Sequence, residues 1–183
     1  MRIHPRYFNR FMVIVAVTGI IVIALASYFY VSRQEQRFLD RLDRSDPAEF
    51  AFVGLDGDTI RIPPDRHTVV LFWATWSDRS MEELNDLSDW WQDHPDFKVI
   101  AAFVKDAAEY ARAHQRPGDE GFQIADGTEV YQDLRVPGVP SAILFAPDLE
   151  VAATQVGSAG SEQEPAWRKH VGTSTPAEES KPL

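Results

Sequence analysis

The stretch VVLFWATWSDRS, residues 69–80, decides the fold of this chain. Its first five residues are a continuous apolar run, which is typical of a strand buried on both faces of a sheet. Beyond Trp76 the apolar residues recur at three- and four-residue intervals, which predicts an amphipathic helix that begins around residues 77–80. The same period places Trp91 in the core and leaves Trp90 half-exposed. We therefore expect a central strand that leads directly into a helix.

The elements on either side extend this alternation of strands and helices. Upstream, two short apolar runs at residues 50–53 and 59–62 flank a Leu-Asp-Gly-Asp turn and predict a hairpin. Downstream, the pattern predicts strands at residues 98–104, 122–125, 141–146 and 151–156, helices at 106–114, 129–134 and 161–171, and a loop at 116–121. Asp106 and Ser161 are the expected caps of two of these helices. The predicted fold class is α/β, with a central mixed sheet flanked by helices and an N-terminal β-hairpin.

The composition excludes several classes of function. A chain of 183 residues holds one ordinary domain plus an appendage. It contains no cysteine, so it forms no disulfide, thiolate metal site or iron–sulfur cluster of its own. Its net charge of −10 repels phosphate backbones, so we expect no nucleic-acid partner. The histidines form no H-x-H or H-x-x-x-H pair, and Asp56-Gly57-Asp58 lacks the further ligands of a calcium loop, so we expect no metal and no cofactor.

The N-terminal region carries a membrane signal. Residues 11–31 contain no charge, and a helix of that length spans about 30 Å, the thickness of a bilayer core. Three arginines within residues 1–10 predict a cytoplasmic N-terminal tail, a single transmembrane signal anchor, and an extracytoplasmic remainder that is periplasmic in a Gram-negative cell. A signal peptide cleaved after residues 24–26 (Ala-Leu-Ala) is the alternative. The apolar residues 28–31 continue past that site and favour an uncleaved anchor.

The rest of the chain divides into three segments. Residues 32–49 are highly charged with a thin apolar stripe, and we expect a short helical stalk that acts as a spacer and ends near Pro47. The stripe consists of Phe38, Leu39 and Leu42. Residues 50–171 form the folded domain, and residues 172–183, which are polar and contain proline, predict a disordered tail.

Two motifs carry a resemblance to a known family. The run F-W-A-T-W followed by Ser77-Asp78-Arg79-Ser80 resembles the active-site strand and helix start of the thioredoxin-like superfamily, which reads F-W-A-x-W and then C-x-x-C. The segment G-V-P-S at residues 138–141 is similar to the family's G-V-P-[TS], whose proline is cis. The upstream and closing hairpins are similar to those of membrane-anchored extracytoplasmic thioredoxins of the TlpA and ResA type. The resemblance covers about residues 50–171 and implies a thioredoxin fold.

The chain differs from this family in the residues that carry out disulfide exchange. Ser77 stands at the position of the nucleophilic cysteine and Ser80 at that of the resolving cysteine. Disulfide exchange needs a thiolate, and a hydroxyl does not replace it. Leu71 also stands where many members carry a buried aspartate or another polar residue. A serine nucleophile would need a histidine base, none of which has a predicted path to Ser77, so we expect no catalytic residue and assign both serines to helix capping.

The resemblance also implies a binding groove that needs no sulfur. In the family, the residue before the cis-proline offers its backbone to an extended peptide, and the tryptophan before the motif lines the same groove. The corresponding residues here are Trp76, Ser77, Val139 and Pro140. We therefore expect a membrane-tethered, redox-inactive module that binds an extracytoplasmic protein or peptide, in a setting such as envelope redox or cytochrome c maturation. Two alternatives stay open: a thiol–disulfide oxidoreductase system in which a partner supplies the thiols, and a structural spacer.

Overall fold

The sheet is built around β3 (Thr68–Trp73), a strand whose six residues are all buried. A computed structural model describes residues 5–106, 108–114, 121–158 and 165–171 of the chain. Successive side chains of a strand point to opposite faces of the sheet, so an uninterrupted apolar strand requires an apolar layer on both sides. The prediction of a central, doubly buried strand from residues 69–73 is confirmed.

The described residues form seven strands that lie in one mixed sheet with the order β2-β1-β5-β4-β3-β6-β7. The other strands are β1 (Phe52–Gly54), β2 (Thr59–Ile60), β4 (Lys98–Phe103), β5 (Phe122–Asp126), β6 (Ser141–Phe145) and β7 (Val151–Val156). Strands β3, β4 and β5 run parallel, while β6 and β1 pair antiparallel with β3 and β5. The predicted fold class and the N-terminal hairpin are confirmed.

Helices cover both faces of this sheet. They are α1 (Pro5–Leu42), α2 (Asp78–Asp93), α3 (Ala108–Arg112), α4 (Thr128–Leu134) and α5 (Ala166–Val171), with a short 3₁₀ turn at Pro47–Glu49. One apolar layer contains Val70 and Phe72 of β3 with residues of α4, and the other contains Leu71 and Trp73 with residues of α2 and α5. The expected cap at Ser161, most of the loop at 116–121 and the tail at 172–183 lie outside the described residues.

Helix α1 is continuous from Pro5 to Leu42. Its two ends differ in burial. Its described N-terminal part contains a segment that is long and apolar enough to cross a membrane, judged by length and composition, and none of that segment is buried against the rest of the chain. Its C-terminal end is different, because Phe38 is fully buried and Leu42 is 3% exposed within the domain core.

The expectation of a spacer over residues 32–49 is therefore wrong for the end of this helix. The helix ends at Leu42, earlier than the predicted end near Pro47. Arg41 Nη1 donates to the carbonyl oxygen of Asp133 at 2.9 Å, which adds a polar contact with α4. The apolar stripe is narrow because only one turn of the helix reaches the core, and the charged residues around it face solvent.

Replacing Phe38 by alanine should destabilise the whole domain, because a fully buried aromatic ring leaves a cavity when it is removed. We expect a loss of about 3–5 kcal/mol in the free energy of unfolding. Leu39→Ala is the matched control, since Leu39 is 39% exposed, and it should cost less than about 1 kcal/mol. Urea unfolding of the detergent-solubilised chain, followed by tryptophan fluorescence, measures both. Equal stabilities for the two variants would show that the helix end is only a spacer.

The burial of the adjacent tryptophans of α2 is the reverse of the prediction. Trp90 is 7% exposed, and its ring lies 4.9 Å from the ring of Trp167 in α5 and 4.3 Å from that of His94. Trp91 is half-buried, and its Nε1 donates to the carbonyl oxygen of Phe97 at 2.9 Å. The contact with Trp167 draws Trp90 inward, and a contact across 77 residues of sequence leaves no trace in the helical period of α2.

Glu83 is a buried carboxylate where α2 meets β7 and α5. It is 4% exposed, and its Oε1 accepts hydrogen bonds from Gln155 Nε2 at 3.2 Å and Trp167 Nε1 at 3.4 Å. Burial raises the pKa of Glu83, and the two hydrogen bonds oppose that shift only in part. Ionisation of Glu83 in the folded domain therefore lowers the free energy of unfolding.

Glu83→Gln should remove a pH-dependent loss of stability. A raised pKa in the folded state means that stability is highest below the ordinary carboxyl value of 4.5 and falls as the pH rises through the folded pKa. The neutral glutamine keeps a carbonyl oxygen for both donors, so the variant should be more stable near neutral pH and its stability should change less with pH. Urea unfolding between about pH 4 and pH 8 tests this, with the exposed Glu82→Gln as control. If the stability difference between Glu83→Gln and the wild type became smaller as the pH rises, this prediction would be contradicted.

Candidate functional site

The predicted site residues lie on two loops that meet at one end of the sheet. Phe72, near the end of β3, pairs with Ser141, the first residue of β6. The loop that follows β3 therefore begins beside the loop that precedes β6. The first of these loops carries Trp76 and Ser77, and the second carries Val139 and Pro140. The topology thus brings all four predicted groove residues to the same end of the sheet.

Ser77 is the N-cap of helix α2, as predicted. Its backbone is extended, with φ −115° and ψ 107°, and its Oγ accepts a hydrogen bond from the backbone N–H of Ser80 at 3.3 Å. The first N–H groups of a helix have no partner within the helix, and a serine hydroxyl at this position satisfies one of them. The position that a nucleophile would occupy thus has a structural role.

Ser80 does not cap the helix, contrary to the expectation. Its side chain is fully buried in the first turn of α2, and its Oγ has no hydrogen-bond partner among the described residues. A buried hydroxyl without a partner weakens a fold, because it has lost its bonds to water. Its environment differs from that of half-buried Ser77, only three residues away.

The peptide bond between Val139 and Pro140 is cis, as the resemblance implied. The Pro140 carbonyl oxygen accepts a hydrogen bond from Gly157 N–H at 2.8 Å, and Ser141 Oγ donates to the Gly138 carbonyl oxygen at 2.7 Å. The Val139 side chain is half-buried against the core, whereas its N–H and C=O have no hydrogen bond to any described residue. The loop is held on both sides of Val139, and the backbone of Val139 itself has no partner in the part of the chain that the structure describes.

Trp76 is 66% exposed, in contrast to Trp73, which is fully buried three residues earlier. The backbone before Trp76 is held by Asp106, whose Oδ2 accepts from Thr75 N at 2.8 Å and Thr75 Oγ1 at 2.5 Å. Asp106 was expected to cap the helix after β4. Its carboxylate links the loops that follow β3 and β4, and no local sequence signal indicates this bond between residues 31 apart.

The described histidines do not form a serine–histidine pair. His67 precedes β3 at the opposite end of the strand, where its ring stacks on Phe97 at 5.2 Å. His114 lies edge-on to Trp73 at 5.7 Å, and in the described part of the chain no histidine hydrogen-bonds to Ser77 or Ser80. The same residues contain no group of three histidine, aspartate or glutamate side chains that could hold a metal ion. Leu71 is fully buried among apolar side chains.

Comparison with solved structures identifies the fold. A secreted Mycobacterium tuberculosis disulfide oxidoreductase homologous to E. coli DsbE is 14% identical over 73% of this chain and 95% of that protein, with a TM-score of 0.54. A putative thioredoxin from Neisseria meningitidis is 20% identical over 67% of this chain and 83% of its own, with a TM-score of 0.54. This chain has a thioredoxin-like fold.

Other comparisons add to this result without changing it. A thiol-disulfide oxidoreductase from Bacteroides fragilis is 14% identical over 69% of this chain and 98% of its own, with a TM-score of 0.53. No family model matches the sequence, and no curated protein matches it. At these identities the likeness concerns the thioredoxin-like fold alone. This chain itself has no cysteine.

The two serines of the motif should respond differently to alanine. Ser77→Ala removes the N-cap hydrogen bond and should cost about 1 kcal/mol of unfolding free energy. Ser80→Ala removes a buried hydroxyl without a partner, so stability should be unchanged within about 0.5 kcal/mol or should rise. Urea unfolding of both variants at neutral pH makes the comparison. A loss at Ser80→Ala as large as that at Ser77→Ala would contradict the assigned roles.

Proposed function

We propose that this chain is a membrane-tethered thioredoxin-fold module without thiol chemistry, which binds an extended segment of an extracytoplasmic protein. The binding groove consists of Trp76 and Ser77 on one side and Val139 and Pro140 on the other. The observation that carries the proposal is the backbone of Val139, whose N–H and C=O have no hydrogen-bond partner among the described residues and which lies at the end of the sheet that carries the exposed Trp76.

The chemistry of the groove suits an extended chain. An added strand is recognised through main-chain hydrogen bonds, for which the Val139 N–H and C=O provide a donor and an acceptor. A large exposed indole provides apolar contact area, and tryptophan is common among the residues that dominate binding energies. Neither contribution requires sulfur. The loss of both cysteines therefore removes disulfide exchange and leaves the means of recognition in place.

The apolar part of helix α1 and the basic residues before that part support the proposed location. The apolar part of α1 has the length of a membrane span, and the arginines within residues 1–10 support a cytoplasmic N-terminus. Disulfide oxidoreductases similar to this chain in fold include a secreted protein, which supports an extracytoplasmic domain. Envelope redox or cytochrome c maturation is the setting that we propose for the partner.

Site-specific photo-crosslinking in intact cells tests the groove. A photoreactive residue at Ser77 and one at Gly138, where a side chain has open space around it, probe the two sides of the groove. Asn85, exposed on α2, is the control position. We expect the same partner to be captured from positions 77 and 138 and not from 85, and the yield to fall when Trp76→Ala is added.

The outcomes separate the proposal from its alternatives. Equal capture from all three positions, or no capture from either side of the groove, would contradict the groove and favour a structural spacer. Capture that depends on a cysteine in the partner would favour a thiol–disulfide system in which the partner supplies the thiols. Because Trp76 is largely exposed, Trp76→Ala should leave the fold intact, which circular dichroism checks.

A further inference from the structure

Two arginines lie just beyond the apolar part of α1. Arg33 and Arg37 are both exposed, and neither has an ion-pair partner among the described residues. A helix rises about 1.5 Å per residue, so their Cα atoms lie about 3 Å and 9 Å past Val31 along the helix axis. The headgroup layer on each side of a bilayer core is about 5–8 Å thick. Long arginine side chains at these heights reach the level of the lipid phosphates.

The two arginines share one face of the helix. At about 100° per residue they are separated by about 40°, while the core residues Phe38 and Leu42 lie about 140° and 180° from Arg33. The arginine face is therefore turned away from the domain. Glu35 lies about 200° from Arg33, so it does not neutralise this face.

The spacing of these residues favours a bound anion. Arg33, Arg37 and Arg41 follow one another at four-residue intervals, and like charges at that spacing repel. Arg41 is occupied at the domain, where it donates to the Asp133 carbonyl oxygen. Asp40 lies on the arginine face, about 20° from Arg33, but about 14 Å past Val31 and so farther from the apolar segment than either arginine. It is exposed and forms no ion pair with Arg37. An anion between Arg33 and Arg37 would relieve the repulsion between their two guanidinium groups.

We infer that Arg33 and Arg37 form a binding site for the phosphate group of an anionic phospholipid on the extracytoplasmic face of the membrane. A guanidinium group donates two parallel hydrogen bonds to phosphate, which makes arginine well suited to this ligand. The inference rests on the proposed membrane tether. It adds that the lipid fixes the height of the domain, because the same helix enters the core one residue beyond Arg37.

Native mass spectrometry of the full chain in detergent micelles tests the site. Phosphatidylglycerol and phosphatidylcholine are added in equal amounts, and the retained lipids are counted. We expect the wild type to retain phosphatidylglycerol preferentially. Arg33→Gln/Arg37→Gln should weaken that retention about thirtyfold, since each arginine near an anionic surface contributes about fivefold. Arg66→Gln/Arg79→Gln, which removes two exposed arginines of the domain, should leave retention unchanged.

The remaining outcomes overturn the site or the tether separately. Equal retention of both lipids, or equal loss in the two double variants, would overturn the lipid site. Displacement of the lipid by inorganic phosphate would assign the arginines to a free anion and overturn the lipid assignment. Extraction of the wild-type chain from membranes by alkaline carbonate would instead overturn the proposed tether. Phe38 and Leu42 are untouched in every variant, and circular dichroism checks the fold.

Discussion

The burial of β3 on both faces is the constraint on which the rest of the structure depends. A strand without a polar residue from Val69 to Trp73 is stable only between two apolar layers, and α1, α2, α4 and α5 supply those layers. The strand also fixes where the site lies. Its last residues deliver Trp76 and Ser77 to the end of the sheet, where antiparallel pairing with β6 places the cis-proline loop beside them.

The connection between the apolar part of α1 and the domain is the second organising feature. In a chain with a flexible stalk, the domain would move independently of this apolar segment. Here one continuous helix runs from the apolar segment into the core, where Phe38 and Leu42 pack. The domain is thus joined to the apolar part of α1 by packed side chains, and its orientation follows the orientation of the helix.

Much of the architecture could be predicted because its signals are local. The run at residues 69–73 indicates a buried strand without reference to any other segment, and the helical period after Trp76 locates α2. The cis bond before Pro140 was predicted from the short motif G-V-P-S, which resembles that of a known family.

The contacts that the sequence does not reveal join distant segments. Asp106 accepts hydrogen bonds from Thr75, 31 residues earlier, and Trp90 packs against Trp167, 77 residues later, rather than following the period of its own helix. Phe38 and Leu42 formed a stripe too narrow to distinguish a stalk from a docked helix. For Ser80, the motif alone did not show that its hydroxyl lies buried and unpaired.

We propose that the fold keeps a groove for an extended segment and lacks the two cysteine thiols that disulfide exchange needs. The direct measurement is the rate of insulin disulfide reduction by the full chain and by its Ser77→Cys/Ser80→Cys variant. We expect no reduction by the chain itself and a measurable rate for the variant, because a cysteine at position 77 would lie at a helix N-terminus that stabilises the thiolate. Reduction by the cysteine-free chain, or an inactive variant that folds normally, would contradict it.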